Sequence, residues 1–105
     1  MRHTIVCLSF KPFVRNTLRG FAKVRVNELS LVINDIMLHE KGDSRWASLP
    51  GKPQLRDGKV VTDPNTGRAA YVSILEFEGR EARDAFSEAV WSAVEKTGAL
   101  EDLPL

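Results

Sequence analysis

Residues 18–50, LRGFAKVRVNELSLVINDIMLHEKGDSRWASLP, decide the fold of this chain. From Leu18 to Val26 the pattern alternates strictly: Leu18, Gly20, Ala22, Val24 and Val26 share one parity, and Arg19, Phe21, Lys23 and Arg25 share the other. A period of two is that of a β-strand with one face to a core, so the opposite face is basic with an aromatic ring in its middle. Asn27, Glu28 and Ser30 mark a turn, and LVINDIMLHE follows as a longer strand. Its alternation breaks at Asn34 and Asp35, because Leu31, Ile33 and Met37 share one parity while Val32, Ile36 and Leu38 share the other. Either a bulge resets the register there, or both faces are buried, one of them against a partner. Lys41, Gly42, Asp43 and Ser44 supply a tight hairpin turn, after which residues 45–49 return as a strand ended by Pro50 and Gly51.

Working outward, residues 3–10 (HTIVCLSF) favour a strand, and KPFVRNT, with Pro12 and Asn16, reads as a turn or irregular edge. On the other side, residues 51–59 read as an exposed loop punctuated by Pro53, Asp57 and Gly58. A second hairpin is expected between Val60-Val61-Thr62 and residues 68–77, turning through Asp63-Pro64-Asn65-Thr66-Gly67. Residues 79–97 form an amphipathic helix: Ala82, Ala85, Phe86, Ala89, Val90, Ala93 and Val94 make its apolar stripe, Ser87 falls with the polar residues, Trp91 sits at the border, and Gly98 supplies the C-terminal cap. The expected architecture is α+β, an antiparallel sheet of about five to six strands followed by one C-terminal helix. The 105 residues suffice for one domain (1–105), with a core over 3–97 and a flexible tail at 98–105.

Composition narrows the function. The formal net charge of +1 hides an asymmetry, since residues 1–52 hold nine Lys and Arg against four Asp and Glu, and residues 53–105 hold six against ten. Residues 11–25 contain Lys11, Arg15, Arg19, Lys23 and Arg25 and no acid, a surface suited to an anionic partner such as nucleic acid. The lone Cys7 in an alternating run is expected as a buried structural thiol of a cytoplasmic protein. There is no run of 18 apolar residues to span a bilayer, so no membrane role is expected. Asp63 and Asn65 lack the further acidic ligands of a calcium loop, and two His with one Cys make no zinc spacing. His39 and Glu40 are neighbours in a strand and point to opposite faces, so they form no dyad, and neither a phosphate loop nor a nucleophile elbow occurs. No enzyme activity, metal or cofactor is expected.

The run LVINDIMLHEKGDSRWASLPGKP, followed by a hairpin and one C-terminal helix, resembles the central segment of the SpoVG family of small bacterial regulators over about residues 18–97. It is also similar to short bacterial and phage proteins that share the His39-Glu40-Lys41 and Arg45-Trp46 pieces, and in outline to Whirly and positive-cofactor single-stranded-DNA-binding folds. The resemblance implies a strand-rich dimer that binds nucleic acid. The residues expected to carry binding are Lys11, Arg15, Arg19, Phe21, Lys23, Arg25, Arg45 and Trp46. Cations would contact phosphates and Phe21 would stack on a base, with single-stranded DNA favoured and RNA as the other strand. Trp46 is expected in the core first and as a second base platform otherwise. One helix can cover only one face of such a sheet, which implies a homodimer packing near residues 31–38. The alternative is a protein-interaction adaptor docking a partner through the exposed sheet or the acidic helix face.

Overall fold

The computed structural model describes residues 4–65, 67 and 69–102. His3, Thr66, Arg68 and the last three residues of the tail, all included in the expectations above, lie outside the described residues. Strands β1 (Ile5–Arg15), β2 (Leu18–Val26), β3 (Leu31–Lys41) and β4 (Ser44–Ser48) form one antiparallel meander in the order β1-β2-β3-β4. Two small ribbons follow, β5 (Gly51–Pro53) with β8 (Tyr71–Ser73), and β6 (Leu55–Arg56) with β7 (Lys59–Val60). Helix α1 (Arg80–Lys96) and a short 3-10 turn (Ala99–Asp102) complete an α+β fold. Among the described residues the strands number four long and four short, where about five to six were expected.

The core lies between one face of the meander and α1. Ala22 and Val24 of β2, Ile36 and Leu38 of β3, and Ala47 of β4 meet Val90, Trp91 and Val94 of the helix. The break at Asn34 and Asp35 is a bulge: Ala22 pairs with Ile36 but Val24 pairs with Ile33, so both residues oppose Lys23. Asp35 adopts φ 58, a left-handed conformation that Asp tolerates better than most side chains. The bulge keeps Ile33, Ile36 and Leu38 on the helix side, whereas Leu31 and Val32 stay exposed.

Several local expectations are corrected. The first strand runs on through Pro12 to Arg15 instead of ending at Phe10, because β1 is an edge strand, where a missing N–H is tolerated. The turn is Asn16-Thr17, with Asn16 at φ 54. The loop expected at 51–59 contains two strands and a tight hairpin, with Asp57 (φ 53) and Gly58 (φ 78) in the two turn positions of a type I′ connection. Among the described residues of the second expected hairpin, Thr62 and Ala69 form a ladder bridge and the Ala70 N–H donates to the Val61 carbonyl at 2.8 Å, while β8 pairs with β5. Its turn does close as read, with the Gly67 N–H donating to the Asp63 carbonyl at 2.8 Å.

The helix buries the second half of its expected stripe: Val90, Ala93 and Val94 are buried and Phe86 and Ala89 half-buried, while Ala82 and Ala85 are exposed. Ser87 and Trp91 join the buried side, giving i, i+3, i+4 and i+7 from Ser87 through Val94. Ser87 is buried for a reason invisible in its polarity: its Oγ accepts from the Ala47 N–H (3.1 Å) and donates to the Ala47 carbonyl (3.2 Å). Trp91 Nε1 donates to the Trp46 carbonyl at 3.0 Å. These side chains pair the outer edge of β4, which would otherwise offer free backbone groups to another chain. Beyond the Gly98 cap (φ 78), Ala99 and Leu100 pack against the core, so the chain stays on the body past residue 98. Cys7, half-buried, also lies against the core, and burial raises its thiol pKa.

Candidate nucleic-acid interface

The face of the meander away from α1 carries the candidate site. Opposed residues of an antiparallel ladder share a face, so the pairings Lys11 with Phe21, Ser9 with Lys23, Phe21 with Met37, and His39 with Trp46 place these side chains together on the open side. Arg25 pairs with Val32 on this side, and Arg15 joins through Leu18, which opposes His39. Two aromatic pairs stand on this surface. Phe13 and Phe21 lie 6.0 Å apart at a tilt of 51°, and His39 stacks on Trp46 at 5.3 Å and 10°.

The cations divide. Lys11, Arg15, Lys23 and Arg25 are exposed on the open face, with Arg25 Nε donating to Asn27 Oδ1 at 2.7 Å. Arg19 leaves the row, because the β2–β3 register shift between Leu18 and Gly20 falls on it. Its guanidinium turns back to donate to the Asn16 and Leu18 carbonyls (2.8 and 3.1 Å), and its side chain is only 17% exposed. Arg45 faces the helix: it clamps Glu88 (2.6 Å) and Glu95 and lies 5.2 Å above the Trp91 ring. Adjacent strand residues point to opposite faces, so Arg45 and Trp46 could not both belong to one surface.

Trp46 is the clearest reversal. The ring expected in the core is 37% exposed on the open face, and the tryptophan in the core is Trp91, 2% exposed. Phe13, His39 and Met37 belong to this surface and were not among the expected binding residues. Phe13 was hidden by the reading of KPFVRNT as a turn. His39 hydrogen-bonds through Nδ1 to Thr17 Oγ1 (3.0 Å), and its pKa is lowered by burial and then by the Arg19 charge. Both causes favour the neutral imidazole in its stack on Trp46.

Two concavities mark the surface. One of about 400 Å³ is lined by Ser9, Lys11, Phe21, Lys23, Asn34 and Asp35. A longer groove of about 1070 Å³ runs past Phe21, Met37, Trp46 and Ser48 to Tyr71 of β8 and round the β4 edge to Arg83, Asp84 and Ser87 of α1, and Phe21 and Asp35 border both. The surface thus combines cations suited to phosphates with ring faces suited to bases. No helix among the described residues is long and apolar enough to cross a membrane. No protein-family model, curated protein or solved structure matches this chain.

Proposed function

We propose that this protein binds single-stranded nucleic acid, DNA in preference to RNA, along the open face of its sheet, in a regulatory or DNA-metabolism role and without catalysis. The observation that carries the reading is the aromatic pair Phe13 and Phe21 and the His39–Trp46 stack set among Lys11, Arg15, Lys23 and Arg25 on a face the helix leaves uncovered. Phosphates would meet the cations with release of counterions, and unpaired bases would stack on the rings at about 1–3 kcal/mol per base. The SpoVG resemblance points the same way. Fluorescence anisotropy with a labelled mixed-sequence single strand, a duplex of equal length and an RNA strand, at low and physiological salt, tests it. Salt-sensitive binding that favours the single strand supports the reading, and no binding to any of the three at low salt overturns it.

A homodimer goes with this proposal. Exposed apolar side chains Leu31 and Val32 on β3, and Leu55, Tyr71 and Ile74 on or beside the ribbons, are surface that a second copy would cover. Sedimentation equilibrium decides it, a monomer mass across micromolar concentrations ruling it out. The same exposed residues favour the adaptor as the second reading, to which failure of all three nucleic-acid titrations would lead.

A further inference from the structure

The bulge that resets β3 also builds something the stacking model does not use. Both neighbours of Lys23 lose register beside it: β1 between Cys7 and Ser9, and β3 between Ile33 and Ile36. Beside them lies the concavity of about 400 Å³, open to solvent and bordered by Phe21, within the roughly 300–1,000 Å³ of small-ligand sites. Asp35 borders it from the left-handed backbone conformation of the bulge, which Asp and Asn adopt more readily than other side chains. Its carboxylate makes no ion pair or hydrogen bond among the described residues, although Lys11 and Lys23 line the same cavity. Asn34 and Asp35 are both exposed, so the carboxylate and the amide beside it are open to a ligand that donates. Among the described residues no three His, Cys, Asp or Glu side chains gather to hold a metal ion there.

Resting on the nucleic-acid reading, we infer that this cavity seats one unpaired guanine of the bound strand. Guanine is the base whose Watson–Crick edge places two donors, N1–H and the N2 amine, side by side, with the O6 acceptor next to them. An ionised carboxylate is acceptor-only and receives such a donor pair in bidentate fashion, and the Asn34 amide or the Lys23 ammonium is the donor type that O6 requires. Phe21 supplies the face on which the base rests. Thymine and uracil present one donor between two acceptors and match the carboxylate less well. The site therefore reads a base edge, as single-strand recognition does when bases are splayed out of the stack.

The test compares fifteen-residue strands at one salt concentration: oligothymidine, the same strand with a central guanine, and the same strand with inosine, which lacks the N2 amine. Each is titrated against the parent and Asp35→Asn. Asn also tolerates the left-handed conformation, so the bulge persists, and an unchanged melting temperature checks it. Guanine is expected to bind about 10-fold tighter than thymine, inosine between them, and Asp35→Asn to lose the preference while keeping or improving oligothymidine affinity. Equal affinity of the parent for guanine and thymine strands overturns the seat and leaves the nucleic-acid reading standing. A guanine preference that survives Asp35→Asn overturns its placement here, and no binding to any strand overturns both.

Discussion

Gly20 lets β1 lie close to β2. A Cβ there would come 2.4 Å from Phe10 Cζ and 2.6 Å from the Lys11 carbonyl oxygen. The Phe10 ring can rotate away, but the Lys11 backbone cannot move without shifting the strand that carries Lys11 and Phe13. Gly20→Ala is expected to cost about 1–3 kcal/mol by overpacking, read from urea denaturation, and to weaken oligonucleotide binding as β1 is displaced. His39 sets a pH dependence of definite sign. Burial and the Arg19 charge hold its folded pKa below 6.5, so as pH falls through that value the unfolded chain takes up the proton first and stability drops. Stability is thus full above about pH 6.5 and declines below it. Urea midpoints at pH 7.5 and 5.5 should differ in that direction, and His39→Gln should shrink the difference. Asp35 was visible in the sequence as a break in alternation, but whether a bulge or a partner caused the break depended on which residues α1 covers.

At the level of elements, α1 is fastened to the edge strand β4 by three side chains of different kinds. Ser87 pairs the backbone of Ala47, Trp91 bonds the Trp46 carbonyl and fills the core, and Arg45 reaches back from β4 to Glu88 and Glu95. Arg45→Ala removes both ion pairs and the guanidinium over Trp91. Because these groups are partly exposed, the expected loss is about 1 kcal/mol in thermal or urea unfolding. Oligonucleotide affinity and its salt slope should stay at the parent values, since Arg45 lies on the other side of the sheet. A fall in the salt slope would return Arg45 to the binding surface. The helix itself was legible in the sequence as a length and an amphipathic period, but its rotation was not. Ala82 and Ala85 have little apolar area to bury, whereas Trp91 buries much and Ser87 answers unpaired strand groups, and those terms turned the helix toward them.

Across the whole molecule, one helix over four strands leaves a face of the sheet open, and the charge asymmetry of the chain lands on it. Lys11, Lys23 and Arg25 together should carry much of the phosphate contact. Their triple replacement by Ala is expected to lower the slope of log affinity against log salt by about 2, at roughly 0.7 per phosphate on a single strand, with the fold intact by circular dichroism. An unchanged slope would move the binding surface elsewhere.

The α+β class, the three strands from residue 18 onward, the basic parity of β2 and the helix near the C-terminus follow from the sequence by itself, because periods of two and 3.6 residues are local and survive without knowledge of neighbours. Which aromatic enters the core, which arginines remain free and what the β3 break does were decided only by the tertiary structure. Register shifts at Arg19 and Asp35 change the face of a side chain by half a period, and that choice is made by pairing and burial between distant segments. Trp46 and Trp91 are equally apolar in the sequence. The helix covers one of them and leaves the other on the surface proposed to bind nucleic acid.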